Sequence, residues 1–206
     1  FFGRVNYDYK SKYLLSLVLR RDGYSKLPKD NRWGTFPGIS AGWVLSRENF
    51  MESCSNVLSY AKIRASYGAN GNVSGVLDAN GNVVTGLDYY TVQGSYGIMK
   101  DKDGKIVPNY NGKVPLMIND LPNPTMRWEK SYTFETGFDI GFLNNKYILN
   151  FTYYNRRTQD KFAEITLPSH SGVSSFLSNN GEVQNQGMEL ELTANVLRTK
   201  DWKFTV

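Results

Sequence analysis

The chain has 206 residues, a net charge of +5, 40% hydrophobic and 21% charged residues, with 14 Tyr, 11 Phe and 19 Gly. No apolar run approaches the ~18 residues a membrane helix needs. The basic residues come in pairs such as Arg20-Arg21 and Arg156-Arg157 rather than as a nucleic-acid-binding block. The single Cys54 has no internal disulfide partner and no nearby Cys or His with metal-ligand spacing. Aromatics and glycines in this proportion point to strands and turns rather than helices.

Alternation of apolar and polar residues is the dominant pattern, and it recurs in eight runs. Val5, Tyr7 and Tyr9 alternate with Arg4, Asn6 and Asp8. After a tight turn near Ser11-Lys12, Tyr13, Leu15, Leu17 and Leu19 oppose Leu14, Ser16, Val18 and Arg20. Pro37, Ile39, Ala41, Trp43 and Leu45 then oppose Gly38, Ser40, Gly42 and Val44. Next, Ala61, Ile63, Ala65 and Tyr67 oppose Lys62, Arg64 and Ser66.

The second half repeats the pattern. Tyr132, Phe134, Phe138, Ile140 and Phe142 oppose Ser131, Thr133, Glu135, Asp139 and Gly141. Tyr147, Leu149, Phe151 and Tyr153 oppose Asn150, Thr152 and Arg156. Met188, Leu190, Leu192 and Ala194 oppose Glu189, Glu191, Thr193 and Asn195, and Trp202, Phe204 and Val206 begin the last run. The chain opens already alternating and stops in mid-strand, so both ends read as cuts in a longer protein.

These strands exceed the ~5–6 residues usual in soluble proteins. Their connections also alternate: short at Ser11-Lys12, Leu143 to Lys146 and Arg198 to Asp201, modest from Arg47 to Ser59, and long at 22–35, 69–126 and 158–182. One end of an antiparallel sheet is trimmed and the other decorated. That asymmetry predicts an all-β, antiparallel transmembrane barrel with short periplasmic turns and long extracellular loops. A polar lumen accounts for Arg4, Lys62, Arg64, Glu135, Asp139, Glu189 and Glu191 sharing one face. The other face would meet the lipid bilayer, with Tyr7, Tyr9, Tyr13, Tyr147 and Trp202 as an aromatic girdle at the short-turn end. A soluble barrel or sandwich with one polar face is the alternative the pattern leaves open.

The motifs add little chemistry. Gly38-Ile39-Ser40-Ala41-Gly42 matches the G-x-S-x-G nucleophile elbow, which needs a sharp strand-to-helix turn. Here alternation runs straight on to Trp43 and Leu45, and the one histidine, His170, lies in a loop, so Ser40 reads as a small lumen-facing residue and no catalytic residue is assigned. The stretches DANGN (78–82) and DKDG (101–104) lack EF-hand spacing and read as hairpin turns rather than metal loops. GANGN (68–72) lacks the Lys-Ser/Thr of a phosphate loop. No metal or cofactor is expected. Between the fourth and fifth runs, Tyr89, Tyr90, Tyr96 and Tyr110 offer flat apolar faces with polar tips, suited to sugar rings or extended peptides; the other reading has them packing the loop's own hairpins.

The run RRDGYSKLPKDNRWGTFPGISAGWVLSRENFM (20–51) resembles the barrel signature of the SusC/RagA family of TonB-linked outer-membrane proteins. KIRASYGANGN (62–72), NPTMRWEKSYTFETGFDIGFLNN (123–145) and NQGMELEL (185–192) follow in the family's order, and the likeness covers most of the chain outside the 73–122 loop. The resemblance implies part of a barrel of about 22 strands closed by an N-terminal plug. It implies import of oligosaccharides or peptides driven through TonB, with a SusD-like surface lipoprotein as a lid. These residues would be a partial barrel domain, without the plug or the TonB-contacting segment. The family carries no shared catalytic site to transfer. A non-transporting structural or adhesive barrel is the alternative.

Overall fold

The computed structural model describes every residue except 55, 78–82, 86, 88, 108–110, 112, 199–202 and 206. In chain order, the strands are β1 (Phe2–Tyr9), β2 (Tyr13–Gly23), β3 (Trp33–Val44) and β4 (Leu58–Asn72). An insertion follows, holding β5 (Val76–Leu77), β6 (Val83–Thr85), a short helix α1 (Tyr89–Gln93), β7 (Ser95–Ile98) and β8 (Leu116–Asp120). The wall then resumes with β9 (Glu129–Phe142), β10 (Tyr147–Thr166), β11 (Ser175–Arg198) and β12 (Lys203–Thr205).

One sheet of eight strands runs in the order β1-β2-β3-β4-β9-β10-β11-β12, antiparallel throughout. Strand neighbours are chain neighbours except where the insertion intervenes, so every connection is a hairpin. The pairs β5-β6 and β7-β8 form separate two-stranded sheets.

Register carries the alternation across the whole wall. Tyr13 pairs with Trp43, Trp43 with Ile63, Ile63 with Phe138, Phe138 with Phe151 and Phe151 with Leu190. Since side chains alternate along each strand, these rows build one continuous apolar face. That face is bare: Leu17 is 44% and Leu190 is 69% exposed. An apolar surface of this extent is what hydrocarbon would cover, and the backbone groups behind it are satisfied strand to strand.

The two ends of the wall differ. At the trimmed end, Lys10 and Ser11 take φ of 53° and 51° in the β1-β2 turn, where the Asp8 carboxylate accepts from the Ser11 N–H at 2.7 Å. The connection from β3 to β4 is a pair of 3-10 turns over Leu45–Arg47 and Asn49–Cys54. Glu48 between them accepts from Lys12 Nζ (3.0 Å), the Tyr13 hydroxyl (2.8 Å) and Trp43 Nε1 (3.1 Å). The rings of Tyr9, Tyr13 and Trp43 stack at 6.4 Å and 6.2 Å across three strands. Trp43, which the sequence reading left out of the girdle, is thus at its centre, and Trp202 lies outside the described residues.

At the decorated end sits a buried cluster of Leu27, Phe36, Leu87, Met126, Trp128, Phe162 and Leu177. Phe36 and Trp128 meet edge to face at 5.4 Å. Each such side chain removed from water is worth about 1.5–3 kcal/mol. The cluster therefore ties the β2-β3 connection, the insertion and the β10-β11 hairpin into one rim.

Two long connections are shorter than their sequence suggests. β4 continues to Asn72, pairing Asn70 with Ser131 and Asn72 with Glu129, so the GANGN stretch is strand. The stretch 158–182 is not a loop: β10 and β11 remain paired up to Thr166 and Ser175. The alternation fails there because a bulge intervenes. Asp160 has φ of 57°, and the register shifts between Thr158 and Phe162.

Candidate functional site

The six charged residues singled out from the sequence share the face opposite the apolar one. Lys62 and Arg64 lie on β4, Glu135 and Asp139 on β9, and Glu189 and Glu191 on β11. Cross-strand register brings them together: Lys62 pairs with Asp139, Asp139 with Asn150, and Asn150 with Glu191. One row over, Arg64 pairs with Gly137, Gly137 with Thr152, and Thr152 with Glu189.

Arg64 is the hub. Its Nε donates to Asp139 Oδ1 at 3.2 Å, and its Nη2 passes over Gly137 to donate to Thr152 Oγ1 at 2.6 Å. Asn150 Nδ2 donates to Glu191 Oε2 at 3.3 Å. Lys62, Glu135 and Glu189 make no ion pair within 4.0 Å among the described residues, so their charges are offered to whatever occupies this side. A groove of about 330 Å³ is lined by Arg64, Asp139, Asn150, Thr152, Glu189 and Glu191. A second, of about 470 Å³, runs over the small residues Ser16, Ser40, Gly42 and Ser66 beside Lys62 and Glu135. Asn150 and Thr152 were legible only as polar positions, and Gly137 escaped notice, although its place between Glu135 and Asp139 in ETGFD marks where a long side chain can cross.

Ser40 stands in mid-strand. β3 runs from Trp33 to Val44 through it without a turn, and Ser40 pairs with Ser16 on one side and Ser66 on the other. His170 is exposed in a 3-10 turn between β10 and β11. The DKDG stretch is a turn: Asp101 Oδ1 accepts from the N–H groups of Asp103 (3.0 Å) and Lys105 (2.9 Å), and Gly104 has φ of +78°. The DANGN stretch lies outside the described residues. Among the described residues no group of three His, Cys, Asp or Glu side chains is placed to hold a metal.

Of the four tyrosines, only Tyr96 has its side chain among the described ones. Tyr96, on β7, is 76% exposed. Tyr89 and Tyr90 open α1, with side chains outside the described set, and Tyr110 lies outside the described residues. β7 and β8 pair Tyr96 with Ile118 and Ile98 with Leu116, so those four share one exposed face. The insertion is anchored below them, where Leu87 is buried in the rim cluster, Val92 packs against it, and Lys26 Nζ donates to the Leu87 carbonyl at 3.0 Å.

A wall with a bare apolar face, a charged opposite face and one decorated end matches the family model for the TonB dependent receptor-like β-barrel over residues 1–206. The chain belongs to that family. It is 34% identical over 204 residues to TonB-dependent receptor P3 of Formosa agariphila, covering 99% of this chain and 19% of that protein. It is 33% identical over 205 residues to TonB-dependent receptor SusC of Bacteroides thetaiotaomicron, again covering 99% of this chain and 19% of the relative. Among solved structures, the RagAB peptide importer in its open-open state superposes with a TM-score of 0.78 at 25% identity, over 99% of this chain and 20% of that one. The siderophore receptor PirA of Pseudomonas aeruginosa shares the fold at a TM-score of 0.54 and 15% identity. The TonB-dependent receptor segment described here thus spans about a fifth of the length of the curated relatives it matches.

Proposed function

We propose that this chain is barrel wall from a SusC-like TonB-dependent importer of the Gram-negative outer membrane, moving oligosaccharides or peptides without transforming them. The observation that carries the reading is the match to SusC over 99% of the chain, on a sheet whose rows are apolar on one face and charged on the other. In this reading the apolar face meets lipid, and Lys62, Arg64, Glu135, Asp139, Glu189 and Glu191 line the lumen. The short turns face the periplasm and the insertion stands at the extracellular rim. Energy arrives from TonB through parts of the protein outside these residues, and a SusD-like lipoprotein covers the rim. RagAB is named a peptide importer and SusC a TonB-dependent receptor, so both substrate classes stay within the proposal.

The test is uptake by cells carrying or lacking the full-length gene, with labelled oligosaccharides and labelled oligopeptides, with and without TonB. Import of either class that needs both the gene and TonB is the expected result. A gene whose loss leaves both uptakes unchanged while surface adhesion falls would favour a non-transporting barrel instead.

A further inference from the structure

We propose that the stretch NPTMRWE (123–129) is a positioning strap that pins both ends of the insertion to the polar side of the rim. Where the insertion stands over the charged face then depends on this strap, whichever substrate class is imported.

Residues 121–128 belong to no strand. Their backbone polar groups have no ladder to join, so side chains must satisfy them. Asn179 on β11 does so twice for Arg127: its Oδ1 accepts from the Arg127 N–H and its Nδ2 donates to the Arg127 carbonyl, each at 2.9 Å. The amide stands where a neighbouring strand's peptide group would. Asn123 Nδ2 donates to the Leu177 carbonyl at 2.9 Å on the same hairpin. From the opposite flank, Asn31 Nδ2 donates to the carbonyls of Thr125 (3.3 Å) and Met126 (3.1 Å). Trp128 Nε1 donates to the Arg32 carbonyl at 3.2 Å. The strap therefore joins the β2-β3 connection to the β10-β11 hairpin, with Met126 wholly buried between them.

Glu129 closes the arrangement. Its Oε2 accepts from Asn72 Nδ2 at 2.8 Å, and its Oε1 accepts from the Phe162 N–H at 2.7 Å. The insertion leaves the wall at Asn72 and returns through the strap to Glu129, so one carboxylate holds both of its ends. Asn123 and Glu129 are the polar side chains buried among the described residues, at 3% and 2% exposed. Groups buried so deeply are tolerated because these bonds are made. Alternation fixes the side. Glu129 continues the row of Glu135 and Asp139 on β9, and Asn72 that of Lys62 and Arg64 on β4. Phe36, which packs on Trp128, continues the row of Gly38 and Ser40 on β3. All three rows belong to the polar face, so the strap crosses the top of that face.

The test uses the full-length protein in detergent with its cysteines, Cys54 included, replaced by serine. Spin labels at Gln93→Cys in the insertion and Gln186→Cys on the wall report their separation by pulsed EPR, both positions being exposed. Arg21→Cys with Gln186→Cys is the control within the wall. Leaving a buried group unpaired shifts an equilibrium by about tenfold, so Asn179→Ala and Glu129→Ala should each broaden or displace the insertion-to-wall distance. The control distance should stay fixed. Glu129→Gln, which keeps an acceptor for the Phe162 N–H, should fall between wild type and Glu129→Ala. Heat-dependent gel mobility reports barrel assembly, and Asn31→Ala replaces any variant that assembles poorly. An insertion-to-wall distance unchanged in the alanine variants overturns the strap. So does a control distance that broadens equally, because these residues would then hold the wall itself. Neither distance needs a substrate, so the importer reading is judged separately, by uptake.

Discussion

Arg64 on β4 and Thr152 on β10 are joined by a 2.6 Å hydrogen bond although β9 runs between them. The guanidinium passes over Gly137, which pairs with both residues across the sheet. A Cβ at that position would collide with the backbone carbonyl oxygen of Phe151, which cannot swing away as a side chain can. Gly137→Ala should therefore lower the fraction of full-length protein that reaches the heat-resistant, folded gel band. Arg64→Ala acts differently: it leaves Asp139 and Thr152 without their donor. The pair is partly solvated, with side chains 35% and 23% exposed, so a cost between the surface and buried limits is expected, about 1–2 kcal/mol. A double-mutant cycle with Asp139→Asn would measure it. Strict additivity of the two changes would show that the pair does not interact.

The apolar face makes its own demand. Phe138 stacks on Phe151 at 5.2 Å in the middle of the row from Tyr13 to Leu190. Phe138→Arg places a charge against hydrocarbon and should cost roughly 2–4 kcal/mol near the membrane midplane. Ser66→Arg, three register positions away on the polar face, should be tolerated. Equal assembly of the two variants, read from the folded fraction after membrane insertion, would mean the faces are assigned the wrong way round.

What the sequence made legible was whatever repeats with period two. Tyr13, Leu15, Leu17 and Leu19, or Lys62 and Arg64, declare their faces locally, because a strand's neighbours only extend the alternation already present. The rim cluster was invisible because Leu27, Leu87, Met126 and Leu177 come from separate segments and meet only in three dimensions. The bulge at Asp160 hid the top of the β10-β11 hairpin by interrupting the ladder there. Glu48 went unnoticed because nothing in SRENF announces that Lys12, Tyr13 and Trp43 converge on it.

Glu48 carries a pH dependence. Hydrogen bonds from Trp43, Tyr13 and Lys12, in that order of weight, hold its carboxyl below the usual carboxylate range. A folded-state value below the unfolded one means the carboxylate stabilises the fold above the unfolded value. That contribution is lost as pH falls through the lowered folded value. Wild-type protein should therefore lose stability relative to Glu48→Gln as the buffer moves from neutral into the acid range below pH ~4. Denaturant midpoints measured on both proteins across that range provide the check. A difference between them that stays constant with pH would remove Glu48 as the titrating group.

The insertion from 73 to 122 is where we expect recognition, through a lipoprotein lid or the incoming substrate, and its two parts should separate by mutation. The lower part is structural: Leu87 is 4% exposed within the rim cluster, and Val92 packs against it. The upper part, β7 with β8, sets Tyr96, Ile98, Leu116 and Ile118 on one open face, with Leu116 70% exposed. Apolar side chains left bare on a paired hairpin above the membrane favour a contact, since the hairpin needs none of them for its own ladder. Replacing residues 97–117 of the full-length protein by a short Gly-Ser linker spares Leu87 and Val92, so surface expression should remain normal while uptake or lid binding falls. Leu87→Ala should instead cost about 2–5 kcal/mol through the cavity it leaves, and reduce expression and uptake together. Flow cytometry of the epitope-tagged full-length protein, uptake of labelled substrate and co-purification of a surface lipoprotein supply the three readouts. If the linker variant imports normally and still retains its lid, the β7-β8 hairpin is decoration, and recognition belongs to the charged inner face around Arg64.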